Sequence, residues 1–152
     1  MKKVLLTSMI LVLSVTALTG CGMGKEPITS EEFTEYFSDD YIMTEKSDDF
    51  DDSIVVSLNA ESDDIIIAFL EFSDNDAARN SFDKVTNEFE MQKDSMNVKA
   101  FKNARTNSYG SYKLTTDSQY VALVRIENTI LASVVSKEFK DDVNDIIKGL
   151  GY

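Results

Sequence analysis

Histidine and tryptophan are absent from the 152-residue sequence, and proline and cysteine occur once each. Without histidine the chain has no imidazole base, no serine or cysteine triad of the usual kind and no histidine-ligated zinc site. It also contains no glycine-rich phosphate loop and no CxxC, HExxH or GxSxG motif. These absences predict a protein without a cofactor or a metal centre. They also argue against an enzyme, since only carboxylate or lysine chemistry is left.

Positive charge is scarce as well. The 15 lysine and arginine residues stand against 27 aspartate and glutamate residues, which gives a net charge of −12. Nucleic-acid phosphates require a basic surface, so the sequence argues against a nucleic-acid partner. An anionic lipid surface attracts lysine and arginine, so an acidic domain is not expected to lie flat on it.

The first 20 residues have the three parts of an export signal. Lys2 and Lys3 form a positive start, an apolar stretch covers residues 4–18, and small residues follow at 19–20. As a helix the apolar stretch spans roughly 22 Å, which is shorter than a bilayer core of about 30 Å. This length favours a cleaved signal peptide, and a transmembrane anchor is the alternative.

The only cysteine follows this segment directly. The sequence Leu18-Thr19-Gly20-Cys21 resembles the lipobox of bacterial lipoproteins. The resemblance implies that a thioether joins diacylglycerol to the sulfur of Cys21. It also implies cleavage between Gly20 and Cys21, so that residue 21 becomes the mature N-terminus. Two acyl chains attach a protein stably, whereas a single chain binds reversibly. A buried free thiol is the alternative interpretation.

As a whole the chain resembles the small lipoproteins that are common in Gram-positive bacteria. The specific match covers roughly the first 21 residues and implies no particular activity. We expect a signal peptide at 1–20, a lipidated cysteine with a short tether at 21–28 and a single domain at 29–152. The protein is then expected at the cell membrane, facing outside the cytoplasm, with membrane lipid bound through acylated Cys21.

Periodicity in the mature part predicts an α+β fold, an antiparallel sheet with helices packed on it. Thr29 and Glu32 form a capping box for one helix, and Ser73 and Ser136 are the expected N-caps of two more. A tight turn is expected at 127–128, with Asn128 at positive φ. The order α-βββ-α-βββ-α indicates two strand–hairpin–helix units, for which an ancient duplication is one explanation. Apolar and β-branched runs predict strands at 41–46, 53–60, 65–72, 109–116, 119–126 and 129–136, with a short edge strand optional near 97–103.

Two charged stretches are candidate sites. The first is an acidic run, which is either a solvated loop or a cation site without the spacing of an EF-hand; it consists of Asp48, Asp49, Asp51 and Asp52. The second is a basic stretch, which contacts either an anionic partner such as a cell-wall polymer or the protein's own acidic surface; it consists of Lys93, Lys99, Lys102 and Arg105.

Three tyrosines around one strand pair are the first candidates to line a groove: Tyr109, Tyr112 and Tyr120. Tyrosine offers apolar area with a polar tip and is favoured in binding patches, although it is also an ordinary sheet residue. Arg125 lies inside an apolar strand. It is expected to pair with a carboxylate, to face solvent or to bind an anionic substrate.

These observations favour a surface-tethered binding or interaction module with a protein, peptide or cell-wall partner. One alternative is an accessory or structural subunit of a membrane complex. The other is an enzyme that uses carboxylates alone, which requires a concave pocket with two converging carboxylates.

Overall fold

The computed structural model describes residues 25–45 and 52–152. Within these residues it contains one seven-stranded antiparallel sheet and three α-helices, which confirms the α+β class. The helices are α1 (Ser30–Phe37), α2 (Asn75–Gln92) and α3 (Lys140–Gly149). The strands are β1 (Ile42–Glu45), β2 (Ile54–Glu61), β3 (Ile66–Phe72), β4 (Ala100–Arg105), β5 (Tyr109–Thr115), β6 (Gln119–Ile126) and β7 (Thr129–Ser136).

Several predicted features lie outside the described residues. They are the signal peptide, the cleavage site at Gly20 and Cys21, and three residues of the acidic run, Asp48, Asp49 and Asp51. Asp52, the fourth residue of that run, is described and is exposed to solvent.

The strands are ordered β1-β2-β3-β7-β6-β5-β4, and every neighbouring pair is antiparallel. Strands that are consecutive without a helix between them pair as hairpins, because short connections favour antiparallel neighbours. The pairing of β3 with β7, in which Ala68 lies opposite Ala132, joins the two halves at the centre of the sheet. β4, which the sequence analysis left optional, forms one edge, and β1 forms the other.

Side-chain alternation along the strands gives the sheet two covered faces. In β6, Tyr120 and Ala122 pack with the residues of α1 and α3, and this side is called the α1/α3 face. Val121 and Leu123 pack with the residues of α2 on the opposite side, the α2 face. A strand that is buried on both faces has an almost continuous apolar sequence, as β6 has between residues 120 and 126.

Helix starts agree with the sequence in one case and differ in two. The capping box of α1 forms as predicted, with the Glu32 N–H donating to Thr29 Oγ1 and the Thr29 N–H donating to Glu32 Oε2. The N-cap of α2 is Asp74, whose carboxylate accepts from the Ala77 N–H at 2.8 Å. Ser73 instead donates its N–H to the Ser53 carbonyl, which extends the pairing beside β2 and β3. The Ser136 side chain forms no capping hydrogen bond, because a short 3₁₀ turn at Lys137–Phe139 precedes α3.

The chain ends in a Schellman motif that fixes the C-terminus to the core. Gly151, at φ 85°, donates its N–H to the Lys148 carbonyl, and Tyr152 donates to the Ile147 carbonyl. Glycine adopts this left-handed conformation without steric cost, so it suits the residue after the helix. Tyr152 is buried, and its hydroxyl shares a hydrogen bond with Thr129 at the start of β7.

The tight turn between β6 and β7 has its positive φ one residue earlier than expected, at Glu127 (φ 48°) rather than Asn128. Asn128 is held by the last residue of β3. Its carbonyl accepts from the Phe72 N–H, and its side-chain amide donates to the Phe72 carbonyl. The conformation of this turn therefore depends on contact with β3, which is distant in sequence. Turn preferences, which consider only neighbouring residues, do not predict it.

The duplication hypothesis gains no support from the positions of the helices. The meanders β1–β3 and β5–β7 meet through β3 and β7 in antiparallel pairing. Superimposing one meander on the other within this sheet requires a two-fold axis perpendicular to the sheet, and such an axis keeps each face on itself. α2 and α3, the helices that follow the two meanders, pack on opposite faces. The order of the elements repeats, but their arrangement does not.

Candidate functional site

The three candidate tyrosines do not form one groove. Tyr112 points to the α2 face, where it is fully buried between the rings of Phe89 and Phe101. Tyr120 packs on the α1/α3 face, and Tyr109 is partly buried against the same cluster. Of the three, Tyr120 lines a cavity together with polar side chains.

Within residues 25–45 and 52–152 Arg125 forms no ion pair with a carboxylate, and it is 1% accessible on the same face of β6 as Val121 and Leu123. One guanidinium nitrogen donates to Asn75 Oδ1 and to the Glu127 carbonyl. The other donates to the carbonyls of Thr106 and Asn107. Burial lowers the pKa of Arg125, with Asp83 raising it and Arg79 lowering it. Arg125 therefore joins three loops at one end of the sheet through its two Nη atoms, while its buried Nε has no hydrogen-bond partner in the described part of the chain.

Most residues of the basic stretch interact with other side chains of the same protein. Lys99 forms an ion pair with Asp117 at 3.1 Å, and Arg105 forms one with Asp83 at 2.9 Å. Lys93 lies 3.6 Å from the centroid of the Phe101 ring. Lys102 differs from these residues, because no ion pair in residues 25–45 and 52–152 involves it. It lies in β4 directly opposite Lys113 of β5.

A cavity of about 260 Å³ opens on the α1/α3 face between α3 and the β4 edge of the sheet. We call it the lysine pocket. Its polar lining consists of Lys102, Lys113, Thr115, Tyr120, Lys140 and Asn144.

Strand register and helix periodicity bring these residues together. Lys102 pairs with Lys113 across β4 and β5, and Thr115 pairs with Tyr120 across β5 and β6. Directly opposite residues in antiparallel strands point to the same face. Lys140 is the first residue of α3. Asn144 follows it by four positions and therefore lies on the same side of the helix.

Asn144 links the helix to the floor of the pocket. Its Oδ1 accepts hydrogen bonds from Lys113 Nζ at 2.5 Å and from the Tyr120 hydroxyl at 2.8 Å. Its Nδ2 donates to the Lys140 carbonyl at 2.7 Å. Because both amide atoms have partners, the side chain is fixed and holds the Lys113 ammonium at the cavity.

The pocket carries positive charge that the described part of the chain does not neutralise. No ion pair there involves Lys102, Lys113 or Lys140. Burial lowers the pKa of Lys113, and the charges of Lys102, Lys25 and Lys140 lower it further. Such a concentration of ammonium groups in a protein of net charge −12 favours an anion.

Tyr120, at the floor of the pocket, is 1% accessible and keeps its proton. Burial raises the pKa of its hydroxyl, which the hydrogen bond to Asn144 lowers and the nearby carboxylate of Asp141 raises. A neutral tyrosine donates one hydrogen bond and still accepts others. The floor therefore presents polar atoms without adding negative charge.

A second, larger groove of about 550 Å³ lies beside α1 and has the opposite charge. The carboxylates of Glu31, Glu35 and Glu45 line it, with Val56 and Leu58 as its apolar part. All three carboxylates are exposed to solvent. Across residues 25–45 and 52–152, no group of three or more metal-ligating side chains is close enough to hold an ion.

Comparison of the chain with protein-family models, curated proteins and solved structures finds no match.

Sequence reasoning named Tyr120 and Lys102 but missed Lys113, Lys140 and Asn144. One signal was present. Alternation in β5 places Tyr109, Ser111, Lys113 and Thr115 on one face, where a buried sheet face normally has apolar residues. The contribution of α3 was not readable, because nothing local to residues 140–144 indicates which strand edge the helix covers.

Proposed function

We propose that this chain is an exported protein, held on the outer side of the cell membrane by lipid on Cys21, whose domain binds a small anionic ligand in the lysine pocket. The observation that carries the proposal is the unneutralised charge of Lys102, Lys113 and Lys140 around one cavity. A bound anion supplies the missing negative charge.

The energetics of Lys113 support a ligand over a purely structural role. Burying an ammonium group near like charges costs free energy, and a solvated position on an edge strand avoids that cost. Lys113 bears this free-energy cost, because it is half-buried and its Nζ is held at the cavity by the hydrogen bond to Asn144 Oδ1. Binding an anion there offsets the repulsion between the ammonium groups, because the anion supplies a negative charge that the free protein lacks at this position.

The lipid anchor is supported by the signal-like segment and by Gly20-Cys21. Among the described residues, no helix combines the length and the apolar character needed to cross a bilayer. Lys25 lies 5.6 Å from the centre of the Tyr109 ring, at the start of β5. The four residues from Cys21 to Lys25 reach at most about 14 Å. We therefore expect the attachment point within about 14 Å of Lys25, whose charge also acts on Lys113 of the pocket.

Ligand binding is tested by isothermal titration of the mature protein with phosphate, sulfate and dicarboxylate anions. We expect saturable binding of at least one anion, weakened at least tenfold by Lys113→Met or Lys140→Gln. Lys137→Gln is the matched control, because Lys137 is exposed on the turn that precedes α3 and does not line the pocket. If no anion binds, or if all three variants weaken binding equally, the pocket is not the site.

The anchor is tested independently in the native host. Mass spectrometry of the N-terminal peptide is expected to show a diacylglycerol addition on Cys21 and loss of residues 1–20. Cys21→Ser is expected to release the protein from the membrane fraction. A free thiol with an intact leader contradicts the anchor and leaves the pocket hypothesis untouched.

An accessory subunit of a membrane complex is the second candidate, and one observation favours it. α2 leaves part of its sheet face uncovered, where Ile42, Ile66 and Val134 are 74%, 47% and 54% accessible. Crosslinking in intact membranes followed by co-purification tests this role. The carboxylate enzyme remains the third candidate, and its location is the groove of Glu31, Glu35 and Glu45.

A further inference from the structure

We infer that the lysine pocket recognises the phosphoryl group of a small, soluble phosphomonoester, an inference that rests on the proposed anion-binding function. Three ammonium groups, two hydroxyl groups and one amide converge on a single small cavity of the fold.

The donor set suits a phosphoryl group better than a carboxylate. Lysine acts as a point charge and is a common phosphate ligand, whereas arginine provides the planar fork that matches carboxylates. A phosphomonoester carries a charge of about −1.5 to −2 and three strong acceptor oxygens. The lysines of β4, β5 and α3 provide three positive charges from three directions. A single carboxylate offers one negative charge and two oxygens, so it leaves most of the positive charge of the three lysines unbalanced.

The floor of the pocket adds hydrogen-bonding groups that are already desolvated. Thr115 is 5% accessible and Tyr120 is 1% accessible, and both line the cavity. The Tyr120 hydroxyl donates its only hydrogen to Asn144 Oδ1, so it fixes Asn144 beside Lys113 rather than donating to the anion. The Thr115 hydroxyl is a donor for an oxygen of the ligand.

The size of the pocket limits the rest of the ligand. Sites for drug-sized molecules usually measure about 300–1,000 Å³. A cavity of about 260 Å³ accommodates a phosphoryl group with a short organic portion. The ligand class is therefore a compact phosphomonoester rather than a nucleotide or a long polymer held along its length.

The phosphoryl group has two sources, a free metabolite or a lipid headgroup, and the charges favour the free molecule. Removal of residues 1–20 takes away Lys2 and Lys3, so the mature side-chain charge is −12 − 2 = −14. A domain of that charge is repelled by an anionic bilayer.

The experiment titrates the mature protein in non-ionic detergent with glycerol 3-phosphate, inorganic phosphate, sulfate and succinate, and separately with vesicles that contain phosphatidic acid. We expect glycerol 3-phosphate to bind at least tenfold more tightly than sulfate or succinate, and the vesicles to add nothing. We expect Lys102→Gln, a change at an exposed edge-strand residue that does not threaten folding, to weaken glycerol 3-phosphate at least fivefold. Lys137→Gln should leave its affinity unchanged.

The pH profile tests whether the doubly charged phosphoryl group is the species that binds. The second ionisation of a phosphomonoester lies near pH 6, and the chain has no histidine. Affinity for glycerol 3-phosphate is expected to rise several-fold between pH 5 and pH 7.5, whereas affinity for sulfate stays flat. The titratable groups that face Lys113 or its pocket come from β4, β6, α3 and the N-terminal segment: Lys102, Tyr120, Lys140, Asp141 and Lys25.

The outcomes separate the two proposals. Succinate binding as tightly as glycerol 3-phosphate overturns the phosphoryl assignment and leaves the anion-binding function standing. Binding to phosphatidic acid vesicles without binding to glycerol 3-phosphate overturns the soluble source. Failure of every anion to bind overturns both the inference and the function on which it depends.

Discussion

A half-buried lysine beside two others weakens the fold that holds it, and Lys113 is such a residue. Its ammonium group loses hydration and meets like charges from Lys102 and Lys140. The stem of the side chain still packs in the sheet, so the cost belongs to the charge and not to the shape. A lysine whose stem packs well but whose charge destabilises the fold is expected at a position where ligand binding, rather than folding, requires the residue.

Lys113→Met is therefore expected to bind anions poorly and to be more stable than the natural protein at pH 7, by on the order of 1 kcal/mol. Asn144 Oδ1 keeps the hydrogen bond from the Tyr120 hydroxyl, so no buried acceptor is abandoned. Urea denaturation measures the change. A loss of stability contradicts the idea that the charge of Lys113 is a burden on the fold.

The natural protein should also gain a contribution to stability as the pH rises from the lowered pKa of Lys113 toward its ordinary value of 10.5. In that window the unfolded chain binds the proton and the folded chain has released it. The free energy of unfolding therefore increases with pH. Lys113→Met lacks this contribution, so the difference between the two proteins should shrink over the same window.

Tyr112 gives the opposite response to alkali. It is fully buried on the α2 face, and within the described part of the chain its hydroxyl has no hydrogen-bond partner. Burial, with the charge of Glu90 next and that of Arg105 in opposition, raises the pKa of Tyr112 to about 12. The folded protein thus keeps a proton that the unfolded chain releases near pH 10.0. Stability falls between those values.

Tyr112→Phe is expected to match or exceed the natural protein at pH 7, by up to about 1 kcal/mol, because an unsatisfied hydroxyl is removed. It should also lose less stability from pH 10 upward. Tyr120→Phe is the control at pH 7. It breaks the bond to Asn144 and should cost about 1 kcal/mol. Chemical denaturation across pH 7–11 measures both, and equal losses in the two variants rule out the proposed difference.

At the scale of elements, strand bounds were easier to predict from the sequence than helix starts or the lysine pocket. β6 and β7 have the predicted bounds because their runs of apolar and β-branched residues have one local interpretation. Helix starts were less predictable, because the Ser73 N–H is bound by the carbonyl of Ser53, the residue before β2, and Asp74 caps α2 instead. The lysine pocket was missed because its residues are far apart in sequence and meet only through register and the seating of α3.

The seating of α2 on the sheet depends on a glycine in β5. A Cβ atom on Gly110 would lie 2.9 Å from Cε1 and Cζ of the Phe82 ring, which is 1% accessible. Gly110→Ala is therefore expected to cost about 1–3 kcal/mol by overpacking. Thermal or urea unfolding measures the loss.

Gly149→Ala is the matched control, because there the new methyl group meets the hydroxyl of Tyr36, a side chain that is 47% accessible. Tyr36 can swing into solvent, and alanine is the better helix former at the end of α3. This variant should be close to neutral. If Gly110→Ala is equally neutral, α2 does not approach β5 as closely as this packing requires.

On the scale of the whole molecule, the two ends of the sheet carry different features. One end carries Tyr109, the β6–β7 turn and the C-terminal Tyr152 contact with Thr129. The other end carries Thr115 and Tyr120 of the lysine pocket. Strands of seven or eight residues separate the two ends by about 25 Å. On the proposed attachment through Cys21, we expect the Thr115 and Tyr120 end of the pocket to lie farther from the bilayer than the Tyr109 end, and Lys25 to lie between them, since its charge acts on Lys113.

This orientation is testable with single labels, because Cys21 is the only cysteine and the proposed acylation would leave an introduced thiol unique. Ser108 precedes β5 at the Tyr109 end, and Ser118 lies between β5 and β6 at the pocket end; both are exposed. A fluorophore on Ser108→Cys is expected to be quenched by a quencher attached to lipid headgroups much more than one on Ser118→Cys. Reaching the bilayer from Ser118 requires the domain to invert on a tether of about 14 Å, shorter than the sheet is long. Equal quenching at the two sites shows a domain that turns freely, and stronger quenching at Ser118 shows a pocket that faces the membrane, which would make a lipid headgroup the better candidate for its ligand.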